Sequence, residues 1–322
     1  IPNSATPYCV NDPSPTGDVF TSALGDNLHS GKTPDQPMVS LAALLDAYDL
    51  DAGDVVHVDA GTYQVLREIE LFDADSGVRM EGPGSAATAL LDRGNTNASR
   101  HVFAFQGADN ITLDRLSITG ARDAIHAEAN VGSSGITVSN SDVYGNQDNG
   151  IEILTGNDGA LVSNNLLHDN STGVVLNSDG GLLRENGAFD NSYAGIYVDA
   201  GGNAVTVLNN VVHDNASLGI YARGGGNLVR GNTVHSHNGS GDVGIDLEHG
   251  EARDNLVYGN YDGIRSTSTG SEQVIANRVY GNTNAGILSA WYDQVDGNYV
   301  YSNSIGISAS ASAQVINNLV YA

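Results

Sequence analysis

Residues 209–260 read NNVVHDNASLGIYARGGGNLVRGNTVHSHNGSGDVGIDLEHGEARDNLVYGN. Three segments of this stretch begin with Asn, a variable residue, an apolar residue and then His or Tyr. A Gly-Ile pair follows each segment, at Gly219-Ile220, Gly244-Ile245 and Gly263-Ile264. Self-similarity at a nearly fixed spacing predicts a repeat protein in which each copy forms one turn of a coil.

The repeat extends well beyond this stretch and has a period near 22 residues. A column of His, Tyr or Phe marks successive turns: Tyr144, His168, Phe189, His213, His235, Tyr258, Tyr280, Tyr301 and Tyr321. The short runs between these positions are β-branched, which predicts strands that stack about 4.8 Å apart in parallel sheets. A leucine-rich repeat has a similar period, but its apolar sites would be Leu and a helical stretch would separate its strands.

An Asn column accompanies the aromatic one, at Asn165, Asn186, Asn210, Asn232, Asn255, Asn277, Asn298 and Asn318. We assign it to structure, because Asn tolerates left-handed backbone geometry and its amide can bond the amide of the next turn. The tandem Gly-Ile is expected to supply a bend and then an inward apolar side chain. We likewise interpret His168, His213 and His235 as stacked structural aromatics, and Asp169 and Asp214 as turn formers.

The beginning of the chain differs from the repeats. Residues 1–37 are rich in Pro, Gly and Asp and predict an irregular lead-in with one short strand near Tyr8. Residues 38–63 predict a short amphipathic helix with Ser40 as N-cap, which would cover the open end of the sheets, and then a first strand around Val56 and Val58. Residues 64–322 predict the coil itself, which stops in mid-repeat and is expected to be open at its C-terminal end. We therefore expect further modules of a longer chain.

The opening resembles a known family through Gly25-Asp26-Asn27, Gly31, Pro34, Pro37, Gly53-Asp54 and Gly61-Thr62-Tyr63. This series is similar to the opening of right-handed parallel β-helix proteins of the pectate-lyase-like superfamily. The resemblance implies an all-β fold: one domain formed by a right-handed single-stranded parallel β-helix with an N-terminal capping helix. Enzymes and non-enzymes share this opening, so it implies the fold more strongly than the function.

Composition restricts the partners. The net charge is -25, with 38 acidic residues against 13 basic ones, and Lys32 is the only lysine. Such a chain would repel nucleic acid phosphates and anionic membranes, so we expect neither nucleic acid binding nor membrane insertion. Cys9 is the only cysteine, which excludes an internal disulfide. The acidity is compatible with an extracellular or cell-surface location, a high-salt environment or calcium binding, and no organic cofactor is expected.

The candidate site comes from the residues that break the repeat. Side chains alternate along a strand, so the second and fourth residues after each repeat glycine point outward. In the last turns these positions carry small or apolar residues, whereas in the middle turns most are polar or aromatic: Tyr221, Arg223 and Arg265 as catalytic candidates, Glu152, Asn177, Tyr197 and Asp199 as substrate-binding candidates, and Asp246 and Glu248 as possible Ca2+ ligands. His249, which directly follows Glu248 at the end of its strand, is a further catalytic candidate. Rung spacing would gather the core of this set onto one face within about 15 Å.

The resemblance suggests what such a face would do. Many members of the superfamily are uronate polysaccharide lyases or mannuronan C5-epimerases, which remove the C5 proton of a uronic acid. This chemistry would use Arg223 or Arg265 to neutralise the carboxylate and Tyr221 or His249 as base or acid, with Arg lowering the pKa of the tyrosine. Asp246 and Glu248 would hold a bridging calcium ion.

The catalytic signatures of the family are nevertheless missing. The Asp-Pro-His-Glu motif of the epimerases is absent, and Lys32 lies too early to supply the lysine of the calcium-dependent lyases. Two alternatives therefore stay open. A glycoside hydrolase could use Asp199 and Glu248, two rungs apart at about 9 to 10 Å. A non-catalytic glycan-binding or adhesin module would need no catalytic residues, and the face could also be a solvated acidic surface.

Overall fold

The computed structural model describes residues 7–84, 88–94, 100–267 and 270–322. Almost all of the regular structure is β, in short parallel strands that follow one another around a coil. The chain divides into two compact units, residues 1–166 and residues 167–322. Each unit contains three parallel sheets, here named A, B and C, and consecutive strands of one turn go to different sheets. The fold is a parallel β-solenoid.

The first unit carries the helices as well as the early strands. Helix α1 is Leu41–Ala47, and a short 3-10 helix is Asp73–Asp75. Sheet A contains β1 (Pro7–Val10), β2 (Val55–Val58), β5 (Arg79–Glu81), β8 (Thr112–Asp114), β11 (Thr137–Ser139) and β14 (Leu161–Ser163). Sheet B contains β3 (Gly61–Gln64), β6 (Ala89–Asp92), β9 (Leu116–Thr119) and β12 (Asp142–Tyr144). Sheet C contains β4 (Ile69–Phe72), β7 (Phe103–Gln106), β10 (Ile125–Ala127) and β13 (Asn149–Ile153).

The second unit is the more regular one. Its sheet A contains β17 (Leu182–Arg184), β20 (Thr206–Leu208), β23 (Asn227–Arg230), β26 (Gly250–Arg253), β29 (Gln273–Ile275), β32 (Gln294–Asp296) and β35 (Gln314–Ile316). Its sheet B contains β15 (Leu166–His168), β18 (Gly187–Phe189), β21 (Val211–His213), β24 (Thr233–His235), β27 (Leu256–Tyr258), β30 (Arg278–Tyr280), β33 (Tyr299–Tyr301) and β36 (Leu319–Tyr321). Its sheet C contains β16 (Thr172–Leu176), β19 (Ala194–Val198), β22 (Leu218–Ala222), β25 (Val243–Leu247), β28 (Asp262–Ser266), β31 (Ala285–Ser289) and β34 (Ile305–Ala309).

The alternation predicted for each strand is confirmed. In β22, Ile220 and Ala222 are fully buried while Tyr221 is half-buried, and the same inward column continues at Ile245 and Ile264. Parallel registers stack these residues, so each turn buries small β-branched side chains against those of its neighbours. Removal of this apolar surface from water stabilises the coil by about 25 cal/mol per Å².

The Asn column is confirmed as a ladder, although its backbone geometry differs from our expectation. Asn232 is buried; its side-chain amide donates to Val207 O and Asn255 Oδ1, and its Oδ1 accepts the backbone N–H of Asn210. The left-handed backbone belongs to the preceding residue, for example Asn209 with φ 55°. Asn is therefore selected for satisfying buried backbone groups between turns.

The repeat glycines also differ from the prediction, because they do not serve a bend. Gly219 lies inside β22, and a Cβ there would come within 2.4 Å of the Gly244 carbonyl oxygen. Glycine is required since the backbones of adjacent turns approach closely. The predicted turn formers Asp169 and Asp214 are confirmed, with φ values of 55° and 54°.

The aromatic column is confirmed as the aromatic ladder of the second unit: His168, Phe189, His213, His235, Tyr258, Tyr280, Tyr301 and Tyr321. Successive ring centroids are 4.8 to 5.2 Å apart, and neighbouring ring planes lie within 15° of each other. The spacing is close to the separation of adjacent strands, so the ladder follows from the register.

The predicted helix is confirmed, with Ser40 as N-cap: its Oγ accepts the N–H of Ala43 at 3.3 Å. Its role as an end cap stays a prediction. Parallel pairing begins ahead of residue 64, since β1 pairs with β2 and β3 pairs with β6. In the part of the chain that the structure describes, no helix is long and apolar enough to cross a membrane.

Candidate functional site

Sheet C of the second unit brings together most of the residues that the sequence singled out. The register places Tyr197 beside Tyr221, Tyr221 beside Asp246, and Asp246 beside Arg265. Further outward positions follow at or just beyond the strand ends. We call this surface the polar wall: Tyr197, Asp199, Tyr221, Arg223, Asp246, Glu248 and Arg265.

Arg223 is the centre of a hydrogen-bond network across three turns. Its Nη1 lies 3.1 Å from Asp199 Oδ1 and its Nε lies 3.3 Å from Glu248 Oε2. Glu248 is held from a second side, because the Tyr221 hydroxyl donates to its Oε1. The prediction that these residues share one face is confirmed.

Asp246 forms the buried part of the wall. Asp246 is only 3% exposed to solvent, and its Oδ2 accepts a hydrogen bond from Arg265 Nη2 at 2.6 Å. The second oxygen, Oδ1, is buried without a hydrogen-bond partner. Burial raises the pKa of Asp246 and outweighs the opposing effect of Arg265. A buried carboxyl group with one unpaired oxygen is costly unless a proton or a cation satisfies it.

The pKa of Tyr221 is raised and not lowered, although Arg223 acts in the expected direction. Burial raises the pKa of the Tyr221 hydroxyl, and the hydrogen bond to Glu248 raises it further. Arg223 works in the other direction but is the smaller influence. The hydroxyl therefore keeps its proton near neutral pH and can donate a hydrogen bond or a proton, whereas it is unsuited to act as a base.

Three predicted site residues do not belong to the hydrogen-bond network around Arg223. His249 is at a corner with φ 64°, and its Nδ1 is 3.6 Å from Glu272 Oε1. Asn177 is half-buried and accepts the backbone N–H of Gly201 at 2.7 Å, which is a structural bond. Glu152 lies on β13 of the first unit.

The wall does not fit a calcium site. Calcium takes six to eight oxygen ligands. Both oxygens of Glu248 are engaged by Tyr221 and Arg223, and only Oδ1 of Asp246 is without a partner. An ion here would also face the guanidinium groups of Arg223 and Arg265. The donor set is suited to hydrogen bonding of a ligand.

Some functional candidates were missed by sequence reasoning. Tyr193 is 41% exposed, and its ring lies 6.2 Å from that of Tyr197, which in turn meets Tyr221 edge to face at 5.1 Å. Tyr193 precedes the repeat glycine Gly195, so it is not among the outward positions counted after each glycine. In the first unit, His101 and Asp123 also escaped notice, since neither occupies an outward position counted from a repeat glycine.

Comparison with known proteins agrees with this architecture. The family model described as "Right handed beta helix region" matches residues 101–260. The chain has the right-handed β-helix fold. A search among curated protein sequences finds no match for this β-helix. Many different activities share this fold, so the family match does not specify the chemistry of the polar wall.

Solved β-helix structures extend the likeness over almost the whole chain. The surface adhesin PfbA of Streptococcus pneumoniae is 15% identical with a TM-score of 0.67, covering 97% of this chain and 91% of its own. DFA-IIIase from Arthrobacter chlorophenolicus A6 is 13% identical with a TM-score of 0.63, covering 96% and 93%. The A-module of the Azotobacter vinelandii mannuronan C-5 epimerase AlgE6 is 14% identical with a TM-score of 0.61, covering 96% and 99%. At these identities the likeness shows the fold alone.

Proposed function

We propose that this β-helix is an extracellular or cell-surface carbohydrate-active enzyme whose substrate polysaccharide lies across the polar wall. The observation that carries the proposal is the pair Asp199 and Glu248, held on either side of the Arg223 guanidinium. A stable solenoid does not require such a cluster, and adjacent carboxylates repel unless a cation offsets them. The named neighbours, a surface adhesin and a mannuronan epimerase among them, are compatible with this class and location.

The surroundings of the pair suit a sugar chain. Tyr193, Tyr197 and Tyr221 form an aromatic group beside the charged network. Tyrosine offers an apolar ring face together with a hydroxyl, so it can contact a sugar ring and still hydrogen-bond its substituents. The rungs run along one sheet, and an extended chain of sugars could therefore contact several turns at once.

The geometry favours glycoside hydrolysis among the possible reactions. The contacts with Arg223 limit the separation of Asp199 Oδ1 and Glu248 Oε2 to at most roughly 9 Å, which is compatible with the roughly 6.5–9.5 Å between the two carboxyl groups of inverting enzymes. Both side chains are partly exposed, at 34% and 23%. Inversion needs one carboxyl group to protonate the leaving oxygen and the other to activate water.

The hydrogen bonds suggest which residue takes which role. Glu248 accepts from both Tyr221 and Arg223, as an ionised carboxylate does, so we assign it as the base that activates water. Asp199 accepts from Arg223 and from the backbone N–H of Ala200 through Oδ1. Neither of these bonds uses Oδ2, so Oδ2 is the oxygen that could carry a proton and pass it to the leaving group. We therefore assign Asp199 as the acid.

Removal of a C5 proton is the second candidate. It is favoured by the protonated Tyr221 hydroxyl beside the two wall arginines, since a lyase or epimerase needs a proton donor and a cation for the uronate carboxylate. Two observations place it second. Both arginines are already paired with carboxylates, and the pKa of Tyr221 is raised where a base requires it to be lowered.

A product assay tests the proposal. The purified protein is incubated with neutral polysaccharides and with alginate, pectate and glycosaminoglycans, each with and without calcium. We expect new reducing ends without unsaturated sugars. Unsaturated uronates would show a lyase, and a changed C5 ratio without cleavage would show an epimerase. Binding without any product would instead identify a glycan-binding module, and neither binding nor product on the whole panel would overturn the proposal.

A further inference from the structure

The first unit carries a second polar cluster, in which His126 lies on β10, Glu152 lies on β13, and His101 and Asp123 lie just before β7 and β10. We call it the imidazole cluster: His101, Asp123, His126 and Glu152. The rings of His101 and His126 stack with centroids 4.1 Å apart and planes 6° apart. Asp123 is fully buried, and the side chains of His101 and His126 are only 12% and 10% exposed.

The donor atoms of this cluster converge. Asp123 Oδ2 lies 3.2 Å from His101 Nδ1 and 3.9 Å from His126 Nδ1. His101, Asp123 and His126 each offer one ligand atom, and these three ligand atoms all lie within 4.8 Å of one another. Glu152 Oε2 adds a fourth atom, 2.8 Å from His126 Nδ1. The site thus presents two imidazole nitrogens and two carboxylate oxygens to one small volume.

Hydrogen bonding does not account for this convergence. His101 Nδ1, Asp123 Oδ2 and His126 Nδ1 are buried, and none of them makes a hydrogen bond of acceptable geometry. Moreover, His126 Nδ1 faces two carboxylate oxygens although it can carry only one proton. Buried polar atoms without partners are costly, and either a proton on an imidazole or a bound cation would satisfy the nitrogen and carboxylate atoms that face one another here.

The residues around the cluster hold it as the outer shell of a metal site does. Asp123 Oδ1 accepts the backbone N–H of Asn149 at 2.9 Å, and the Asn149 side chain donates to Glu152 Oε1 at 3.1 Å. The other nitrogen of His126, Nε2, lies 3.6 Å from Glu128 Oε2. A carboxylate beside the distal nitrogen of a histidine orients the ring and raises its basicity toward a metal.

We propose that the imidazole cluster binds a divalent transition-metal ion of the Zn2+ class. His101, His126 and Asp123 would be ligands, with Glu152 as the fourth. Mixed imidazole and carboxylate donors suit Zn2+ and related ions, whereas Ca2+ prefers oxygen ligands alone. Tetrahedral ligand atoms around zinc lie about 3.3 Å apart, so the cluster needs to contract only slightly.

One cation lies close to the cluster and has to be considered. Arg122 Nε is 3.7 Å from Asp123 Oδ2, but its Nη2 is bonded to Asp148 and its side chain is 43% exposed. Asp148 offsets its charge, and the exposed guanidinium can remain outside the site. Three carboxylates, Asp123, Glu128 and Glu152, then face the two imidazoles, which favours a doubly charged ion.

Titration calorimetry tests the site directly. Protein freed of metal with a chelator is titrated with Zn2+ alone, and the bound metal is counted by elemental analysis. We expect one saturable site with a Kd of about 1 μM or tighter, and a rise in Tm on addition of Zn2+. His126→Gln should weaken binding at least about 100-fold and abolish the rise in Tm. Ca2+ should not compete.

His213→Gln is the matched control, since it alters a half-buried histidine of the aromatic ladder whose Nδ1 also lies close to a carboxylate, 2.7 Å from Asp214 Oδ2. It should bind Zn2+ as the unmodified chain does. His101→Gln provides a second ligand variant in case His126→Gln does not fold. The proposal is overturned if binding is weaker than about 100 μM, or if both ligand variants bind Zn2+ as tightly as the His213→Gln control.

Discussion

The polar wall and the aromatic ladder are two faces of the same repeat in the second unit, and they differ in how neighbouring turns are used. In the ladder every turn repeats the same contact, with ring centroids 4.8 to 5.2 Å apart from His168 to Tyr321. In the wall adjacent turns contribute different groups, so that Arg223 contacts carboxylates of the turns before and after it.

This difference separates structure from function within one fold. A column that repeats one residue class gains from stacking at every turn, and loss of one member removes only its own contacts. A column in which each residue depends on unlike neighbours gains nothing from regularity. We therefore take the arrangement of the polar wall to serve a function. The following predictions test this contrast.

The largest effect is expected from Glu248→Gln in the wall. The variant keeps the shape of the side chain but loses the base, so activity on the substrate found in the panel should fall by about 10²–10⁴-fold. Turnover is measured on purified protein whose unfolding curve matches that of the unmodified chain. Glu251→Gln is the control, because Glu251 is also paired with an arginine, Arg253, but lies on β26 away from the wall. Equal losses in both variants would contradict the role of the wall.

Gly219→Ala should have the next largest effect, this time on stability. Its Cβ would meet the Gly244 carbonyl oxygen at 2.4 Å and Val234 Cγ1 at 2.6 Å, so the turns that carry the wall would be forced apart. We expect a loss of about 3 kcal/mol or more. Gly281→Ala, next to the ladder, has open space around it and only its φ of 65° to strain, so about 1 kcal/mol is expected. Chemical denaturation measures both, and a smaller loss for Gly219→Ala would refute the close-approach argument.

His237 sharpens the contrast, since it is a buried histidine at a position where the turns before and after it have the buried asparagines Asn215 and Asn260. It is fully buried and bonds Asn215 and Asn260, and burial lowers its pKa from 6.5 to about 4. The folded pKa lies below the unfolded one. Its contribution to stability is therefore fully present above pH 6.5 and is lost as the pH falls towards 4.

His237→Asn should remove that loss. Relative to the unmodified chain it should gain up to about 3 kcal/mol at pH 4 and much less at pH 7.5. Denaturation at a series of pH values measures the difference. A gain for His237→Asn that is the same at both pH values would exclude titration of His237 as the cause.

Tyr280→Leu in the ladder should have the smallest effect. It removes two ring contacts, with Tyr258 and Tyr301, at a position that is partly open to solvent. We expect a loss of about 1 kcal/mol and unchanged turnover, because the ladder stabilises the coil without taking part in the reaction. Thermal unfolding and the product assay measure the two quantities. A loss of activity here without a loss of stability would extend the functional surface to the ladder.

The repeat in the sequence was sufficient to predict the fold and the shared face. The spacing of the Gly-Ile pairs and of the aromatic column gave the period, and parallel strands then fix which residues of successive turns are neighbours. For the same reason Tyr221, Asp246 and Arg265 could be placed on one wall before any coordinates. The inward Ile and Val and the bonding of the Asn ladder also follow from the period.

Only the tertiary structure decided the state of the individual groups. Whether Tyr221 is acid or base depends on its burial and on the Glu248 carboxylate, which the pattern does not specify. The orphan oxygen of Asp246 and the convergence of His101, Asp123 and His126 are likewise set by distances of a few ångströms. Periodicity determines which residues are neighbours, whereas electrostatics depends on side-chain direction and desolvation, which arise only when the turns are packed.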